Sequence, residues 1–418
     1  MMNNKIYLVT GAAGNLGGNI CRQLLEKGER VRALVLPNDP AEKYLPKEVE
    51  LFHGDLLDVP SLEAFFRTAE EDEVYVIHCA AVVWEKMEDN PKVRAVNVDG
   101  TANILDQCLK HRIRKLVYVG STGAIPELPA GQKIREVDCY LPTDGLVGCY
   151  SVTKAEAAQL VLDAVQSHPE LDATIVLPSG IYGPKDYAFN SVTDMVQQFV
   201  QGKMRIGLEG SFSIADVRDL ADGVISACDK GRRGESYILT GETVTMHDMF
   251  REISKAAGLS VKSYILSKEF AQMAVKGLAA VSRVTGKEPL LSEFNIYMLN
   301  RNNEYDCSKA ERELGFHCRP FSESIQDTVN WLREEGFLKT PENAEVIEIS
   351  PVAVLSLLFK KLLPFFYDVG FMLKLPIGAT AQRNASGIYR DRARSEFREA
   401  LIKSTCADWR ADFSSDEV

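Results

Sequence analysis

No two of the nine cysteines in this 418-residue chain form a C-x-x-C pair, and no histidine–cysteine cluster has zinc spacing. A structural zinc site is therefore not expected, and no metal ligand is assigned. Positive charge is also in short supply. Lys and Arg total 48 against 59 Asp and Glu, a formal net charge of −11, which speaks against a dedicated nucleic-acid binder. No uncharged apolar run reaches the ~20 residues of a spanning helix, and no repeat of solenoid period recurs. The opening MMNNKIYLVTGAAG turns strand-like almost at once and fits no signal peptide. A reducing cytoplasm is the resulting expectation, with most cysteines acting as small buried hydrophobes.

What is present is ordinary globular composition, 45% hydrophobic and 26% charged, over a length that suits two modest domains. The runs KIYLVT, RVRALVL, EVELFHGDL, DEVYVIHCAA, KLVYVGST and DATIVLPSGIYGP read as strands. Helical patterns such as NICRQLLEKG and ANILDQCLKHR alternate with them. That alternation through residues 1–185 predicts an α/β fold built on a doubly wound parallel sheet. From residue 186 to 340 the pattern becomes mostly helical, the expected substrate-binding part, with 215–240 returning to the first domain. Residues 341–418 form an extension whose apolar segment 350–378 is interrupted by Lys360, Lys361, Pro364 and Asp368. Peripheral contact with a membrane is one reading of that segment; packing on the catalytic domain or in a homodimer is the other.

The turn TGAAGNLGG lies between the first strand and the first helix. Gly11 permits a tight turn, Gly14 lets backbone approach a pyrophosphate, and Gly17 lets helix and sheet pack closely. The helix N-terminus adds unpaired N–H groups and the positive end of its dipole. Further on, GCYSVTKAEAAQL places Tyr150 four residues before Lys154, on one face of a helix. A phenol titrates near pH ~10, and a neighbouring ammonium is expected to lower that value and make Tyr150 a workable proton donor and acceptor.

The G-x-x-G-x-x-G spacing together with Tyr-x-x-x-Lys resembles the extended short-chain dehydrogenase/reductase family. The pieces HGDL, HCAA, VNVDGTANIL, YVGSTGA, LPSGIYGP, DVRDLADGVISA and CSKAERELGF match that branch in order. The resemblance implies a Rossmann-like NAD(P)-binding domain, covers about residues 3–340, and leaves the tail outside. It implies cofactor contacts by Gly11, Ala13, Gly14, Asn15, Leu16, Gly17, Asp55, Leu56, Ala80, Ala81 and Pro178, with Tyr150 and Lys154 shared with catalysis. The substrate hydroxyl partner is implied at Thr122, with Ser121 as the alternative. Lys154 is implied to bridge to the nicotinamide ribose, and Asn97 to fix a water in the proton path. His53 and His78 fit no metal set.

At the end of the second strand neither cofactor selector is present, because Val35 and Leu36 occupy the two positions. Arg32 and Lys43 are candidates for a 2′-phosphate, Asn38 and Asp39 for a free ribose; the kinship to reductases favours NADP. Gly123 and Ala124 stand where dehydratases carry an Asp-Glu pair, and no arginine stands in GSFSIADV to hold a sugar-nucleotide diphosphate, although Arg205 and Arg218 lie nearby. The insert EFAQMAVKGLAAVSRVTGKEPLLS resembles the dihydroflavonol-reductase and 3β-hydroxysteroid-dehydrogenase group. The expectation is an NAD(P)-dependent oxidoreductase interconverting a ketone and a secondary alcohol on a bulky, apolar, steroid- or flavonoid-like small molecule. A nucleotide-sugar 4-epimerase and a non-catalytic cofactor-binding regulator are the alternatives.

Overall fold

Seven runs rich in Val, Ile, Leu and Tyr pair as parallel strands in the computed structural model, which describes residues 4–261, 263–272 and 293–338. They are β1 (Lys5–Thr10), β2 (Arg30–Val35), β3 (Glu50–His53), β4 (Glu73–His78), β5 (Lys115–Val119), β6 (Ala173–Pro178) and, after three short strands, β10 (Ser236–Leu239). Their order across the sheet is β10-β6-β5-β4-β1-β2-β3, with every neighbour parallel. The winding reverses between β1 and β4, and such sheets bind ligands at the carboxyl ends of the strands beside that reversal.

Parallel strands are covered on both faces, which is why their sequences are apolar almost throughout. In β1, Ile6 and Leu8 enter one core while Tyr7 and Val9 enter the other. Helices α1 (Asn15–Glu26) and α7 (Val217–Lys230) close the second core through Ile20, Leu24, Leu220 and Val224. On the opposite face lie α2 (Val59–Phe66), α4 (Gly100–Lys110) and α5 (Cys149–Ser167), contributing Phe65, Ile104 and Val161. Each such fully buried side chain contributes roughly 2 kcal/mol, well above a surface ion pair.

The substrate-side part builds a third core from Phe199, Phe250, Ile253, Ile325 and Trp331. Two small sheets belong to it: β7 (Gly180–Tyr182), β9 (Ser211–Asp216) and β11 (Thr243–Thr245) in one, β8 (Ile206–Leu208) and β12 (Tyr264–Leu266) in the other. Helix α8 (Met246–Ala257) begins with a capping box, Thr245 and Asp248 each accepting from the other's backbone N–H at 3.1 and 3.2 Å, and stops at Gly258 with φ 70°. Asp216, fully buried between β9 and α7, accepts from Arg218 through backbone and guanidinium and is bonded by the Ser324 hydroxyl. It fastens the helix Phe321–Glu334 to the junction of β9 and α7.

The expected apolar segment 350–378 and residues 273–292 of the helix-rich insert lie outside the described residues. Among those described, no helix is long and apolar enough to cross a membrane.

Candidate active site

The glycine turn is shaped by steric exclusion. Gly11 has φ +70°, and a Cβ there would stand 2.7 Å from Ala80 N. A Cβ on Gly17 would stand 2.2 Å from the Gly11 oxygen, so the turn closes on the helix only without a side chain. Gly14 caps α1 with no side-chain bond, leaving first-turn N–H groups without a side-chain cap. An uncapped helix start reached over bare backbone is a cradle for an anionic pyrophosphate, and it fits a dinucleotide.

From this turn a cleft of about 490 Å³ runs past the ends of β4, β5 and β6 to the substrate-side part. Gly11, Gly14, Asn15, Leu16, Gly17, Ala81, Thr122, Tyr150, Lys154 and Pro178, all candidates from the sequence, border it. The remaining candidates do not. Ala13 borders a small recess behind the turn with Arg22 and Tyr44. Asp55 accepts from Leu57 N at 2.9 Å, Leu56 packs on Gly100, and Ala80 presses on Gly11 while donating to Thr10 Oγ1 at 3.2 Å.

Asn97 also stands outside the wall, in a π-helical bulge, Ala95–Asp99, ahead of α4. Its Oδ1 accepts from Val82 N at 2.7 Å, and its Nδ2 donates to Val82 O and Thr153 Oγ1, both at 3.1 Å. The amide thus ties the loop after β4 to α5 and positions both. His78 is bracketed by Thr10 Oγ1 at 2.7 Å and Thr101 Oγ1 at 3.1 Å, and burial drives its pKa down to about 3, so it stays neutral. No metal-binding cluster occurs among the described residues.

At the chemical centre one expectation needs correction. The hydroxyl bonded to the Tyr150 phenol is that of Ser121, the alternative to Thr122, while Thr122 also borders the cleft. Ser121 caps the short turn Thr122–Ala124 and accepts from Gly123 N at 3.1 Å, which leaves its own O–H free to donate into the cleft. Lys154 does not lower the phenol's pKa. Burial raises it, the Ser121 hydrogen bond opposes the rise, and the Glu85 charge adds to it. The Lys154 ammonium instead donates to Val119 O at 2.7 Å over the Tyr118 ring, 4.9 Å from its centroid, and burial lowers its own pKa to about 8.

The candidate charge contacts for cofactor and substrate are likewise relocated. Arg32 pairs with Glu50 at 2.9 Å and donates to Phe65 O and Arg67 O, away from the end of β2. Arg218 is held by Asp216 and Asp327, and Arg205 by Phe199 O at 2.6 Å. Sequence reasoning passed over Glu85 and Arg301, both in the cleft wall. No motif marks either one; only their place in the fold does.

A model of the NAD-dependent epimerase/dehydratase family matches residues 7–240, more than half of the chain. The chain belongs to the NAD-dependent epimerase/dehydratase family. It is accordingly an NAD-dependent enzyme of the short-chain dehydrogenase/reductase type. Among its relatives in the NAD-dependent epimerase/dehydratase family is the sterol demethylase protein B of Methylococcus capsulatus. That protein is 32% identical over 79% of this chain and 99% of its own length. The decarboxylating sterol-4-alpha-carboxylate 3-dehydrogenase of Saccharomyces cerevisiae is 26% identical over 78% of this chain and 97% of its own. A solved NAD complex of UDP-glucose 4-epimerase from Thermus thermophilus superposes with a TM-score of 0.63, covering 78% of this chain and 99% of that one. At 22% identity it speaks for the fold alone.

Proposed function

We propose that the protein oxidises a secondary alcohol, or reduces the matching ketone, on a bulky apolar molecule of steroid type. The observation that carries this reading is the pairing of Ser121 with Tyr150 in a cleft also lined by Trp84, Phe212, Phe294, Met298 and Leu299. The names of the two sterol-modifying relatives support the same substrate class.

A nicotinamide dinucleotide along the glycine turn supplies the hydride acceptor or donor. Ser121, held by Gly123 N, directs its O–H at the substrate oxygen, and Tyr150 takes or gives the proton at that oxygen. Lys154, anchored on Val119 O, sets a positive charge at the end of β5 beside this centre. Val82, fixed by Asn97, holds the loop that carries Trp84 and Glu85. For the cofactor we favour NAD, since Arg32, one of the two candidates for a 2′-phosphate, is engaged by Glu50.

The test offers purified protein NAD or NADP with a panel of hydroxysteroids, flavonoids, simple alcohols and UDP-sugars. Net cofactor reduction on a hydroxysteroid is the expected result. Tyr150→Phe is expected to keep dinucleotide affinity and to lower kcat by at least about 10³-fold. Sugar interconversion without net cofactor reduction would sink the proposal in favour of an epimerase.

A further inference from the structure

Three hydroxyls stand in a row where the main sheet meets the substrate-side part. Ser179 follows β6, Thr240 follows β10 and Ser213 lies in β9; they are 8, 3 and 5% exposed. Backbone bonds fix the three segments to one another, Ser179 N donating to Leu239 O and Gly241 N to Ile214 O, both at 3.1 Å. Thr240 Oγ1 donates to Ser179 Oγ at 2.8 Å and stands 2.6 Å from Ser213 Oγ. A hydroxyl carries one hydrogen. That of Thr240 is directed at Ser179, so the 2.6 Å bond uses the hydrogen of Ser213.

This order of donation leaves two unlike groups over. Among the described residues, the Ser179 O–H has no acceptor and the lone pairs of Ser213 Oγ have no donor. Ser179 and Ser213 border the catalytic cleft, with Thr240 behind them. Both serine oxygens lie within 2.8 Å of Thr240 Oγ1, close enough to each other for one ligand oxygen to bond both. A buried polar group left unsatisfied costs ~1–3 kcal/mol. The group that satisfies both serines must accept one hydrogen bond and donate another. A ketone, an ether or a carboxylate cannot donate; a hydroxyl does both.

We propose that Ser179 and Ser213 bind a second hydroxyl of the substrate, one that Tyr150 does not handle. The bound hydroxyl closes a ring of four, each donating to the next, and Thr240 sets the direction of the ring. Ser213 belongs to the small sheet of the substrate-side part, between Phe212 and Ile214 of the same cleft wall. That placement assigns the ligand to the substrate rather than to the nicotinamide amide, which also accepts and donates. The inference rests on the oxidoreductase reading above and narrows its substrates to apolar diols and hydroxyketones.

The test uses the full chain with NAD and matched pairs of steroids, each a diol and the mono-ol that lacks its second hydroxyl. The second hydroxyl is placed in turn on each ring other than the one oxidised. In at least one pair, wild-type kcat/KM for the diol should exceed that for the mono-ol by at least about tenfold. Ser179→Ala and Ser213→Ala should each bring this ratio to near one; should one of them fail to fold, the other decides. Thr240→Val, which removes the hydroxyl behind the wall and keeps its shape, should lower the ratio in part. Equal turnover within every pair, the sign of a ring closed by water, overturns the assignment and leaves alcohol oxidation standing. So does a diol preference that persists in both serine variants. Loss of NAD affinity in calorimetric titration of both serine variants overturns it as well, and marks a site for the cofactor amide. If no steroid is oxidised, the oxidoreductase reading fails, and titration of the same pairs into the NAD-loaded protein decides the site. Tighter binding of a diol in wild type and not in Ser213→Ala supports it; equal binding within every pair overturns it.

Discussion

Lys154→Met should make the dinucleotide-free protein more stable at neutral pH while removing its turnover. The lysine is 3% exposed, and burial lowers its pKa from 10.5 to about 8, with the Cys79 thiol opposing slightly. At about 1.4 kcal/mol per pH unit, holding the ammonium in the folded chain costs ~3 kcal/mol relative to the unfolded one. Methionine has a similar reach and no charge. Against its gain stand the lost hydrogen bond to Val119 O and the lost contact with the Tyr118 ring, about 1 kcal/mol each. The net advantage at pH 7 is therefore about 1 kcal/mol, and the pH dependence is the sharper observable. Between pH 8 and 10.5 the unfolded chain still holds the proton that the folded chain has released, so wild-type stability rises with pH across this window. Below it both states are charged and the cost is constant; above it the cost is gone. Other buried thiols and phenols titrate in both proteins and cancel in the difference. Urea unfolding of wild type and variant at several pH values from 7 to 11 should show the difference moving by ~3 kcal/mol in favour of wild type. A difference that stays flat, or moves the other way, would refute the claim that this ammonium is held against its solvation.

Two further substitutions probe the centre. Ser121→Ala removes the hydrogen bond that opposes the rise in the Tyr150 pKa. It should move the rising limb of kcat for alcohol oxidation to higher pH and lower kcat at pH 7 by about 10²-fold. Thr122→Val should lower it at least about tenfold less; the reverse ranking in steady-state rates would return the role to Thr122. Gly17→Ala forces a Cβ to within 2.2 Å of the Gly11 oxygen. Calorimetric titration should find NAD binding lost, and unfolding a destabilisation of about 3 kcal/mol; wild-type affinity would show that the turn is not the phosphate cradle.

The sheet was legible because its physics is local. A parallel strand buried on both faces must be apolar along its length, and KIYLVT, EVYVIH and ATIVLP are. The glycine turn was legible for a related reason, since a backbone that admits no Cβ leaves glycine in the sequence. The charged groups were not legible, because the worth of a charge depends on partners brought together by tertiary packing. Arg32 sits three residues before the end of β2, where proximity along the chain suggested a cofactor phosphate. Its strand register sets it opposite Glu50 of β3 instead, and that pairing is a property of the sheet. Lys154 shares a helix face with Tyr150, as the four-residue spacing required, yet α5 lies against the end of β5, and the ammonium reaches Val119 O rather than the phenol.

Ser121 and Thr122 differ by one position at the point where β5 gives way to a turn, and what separates them is which hydroxyl bonds the Tyr150 phenol, a contact made only by the fold. Lys154 is the clearest case of a charge whose cost the sequence does not show: it borders the cleft as a buried cation whose pKa burial lowers to about 8, and no carboxylate among the described residues pairs with it. A protein with no use for that charge would gain stability by losing it.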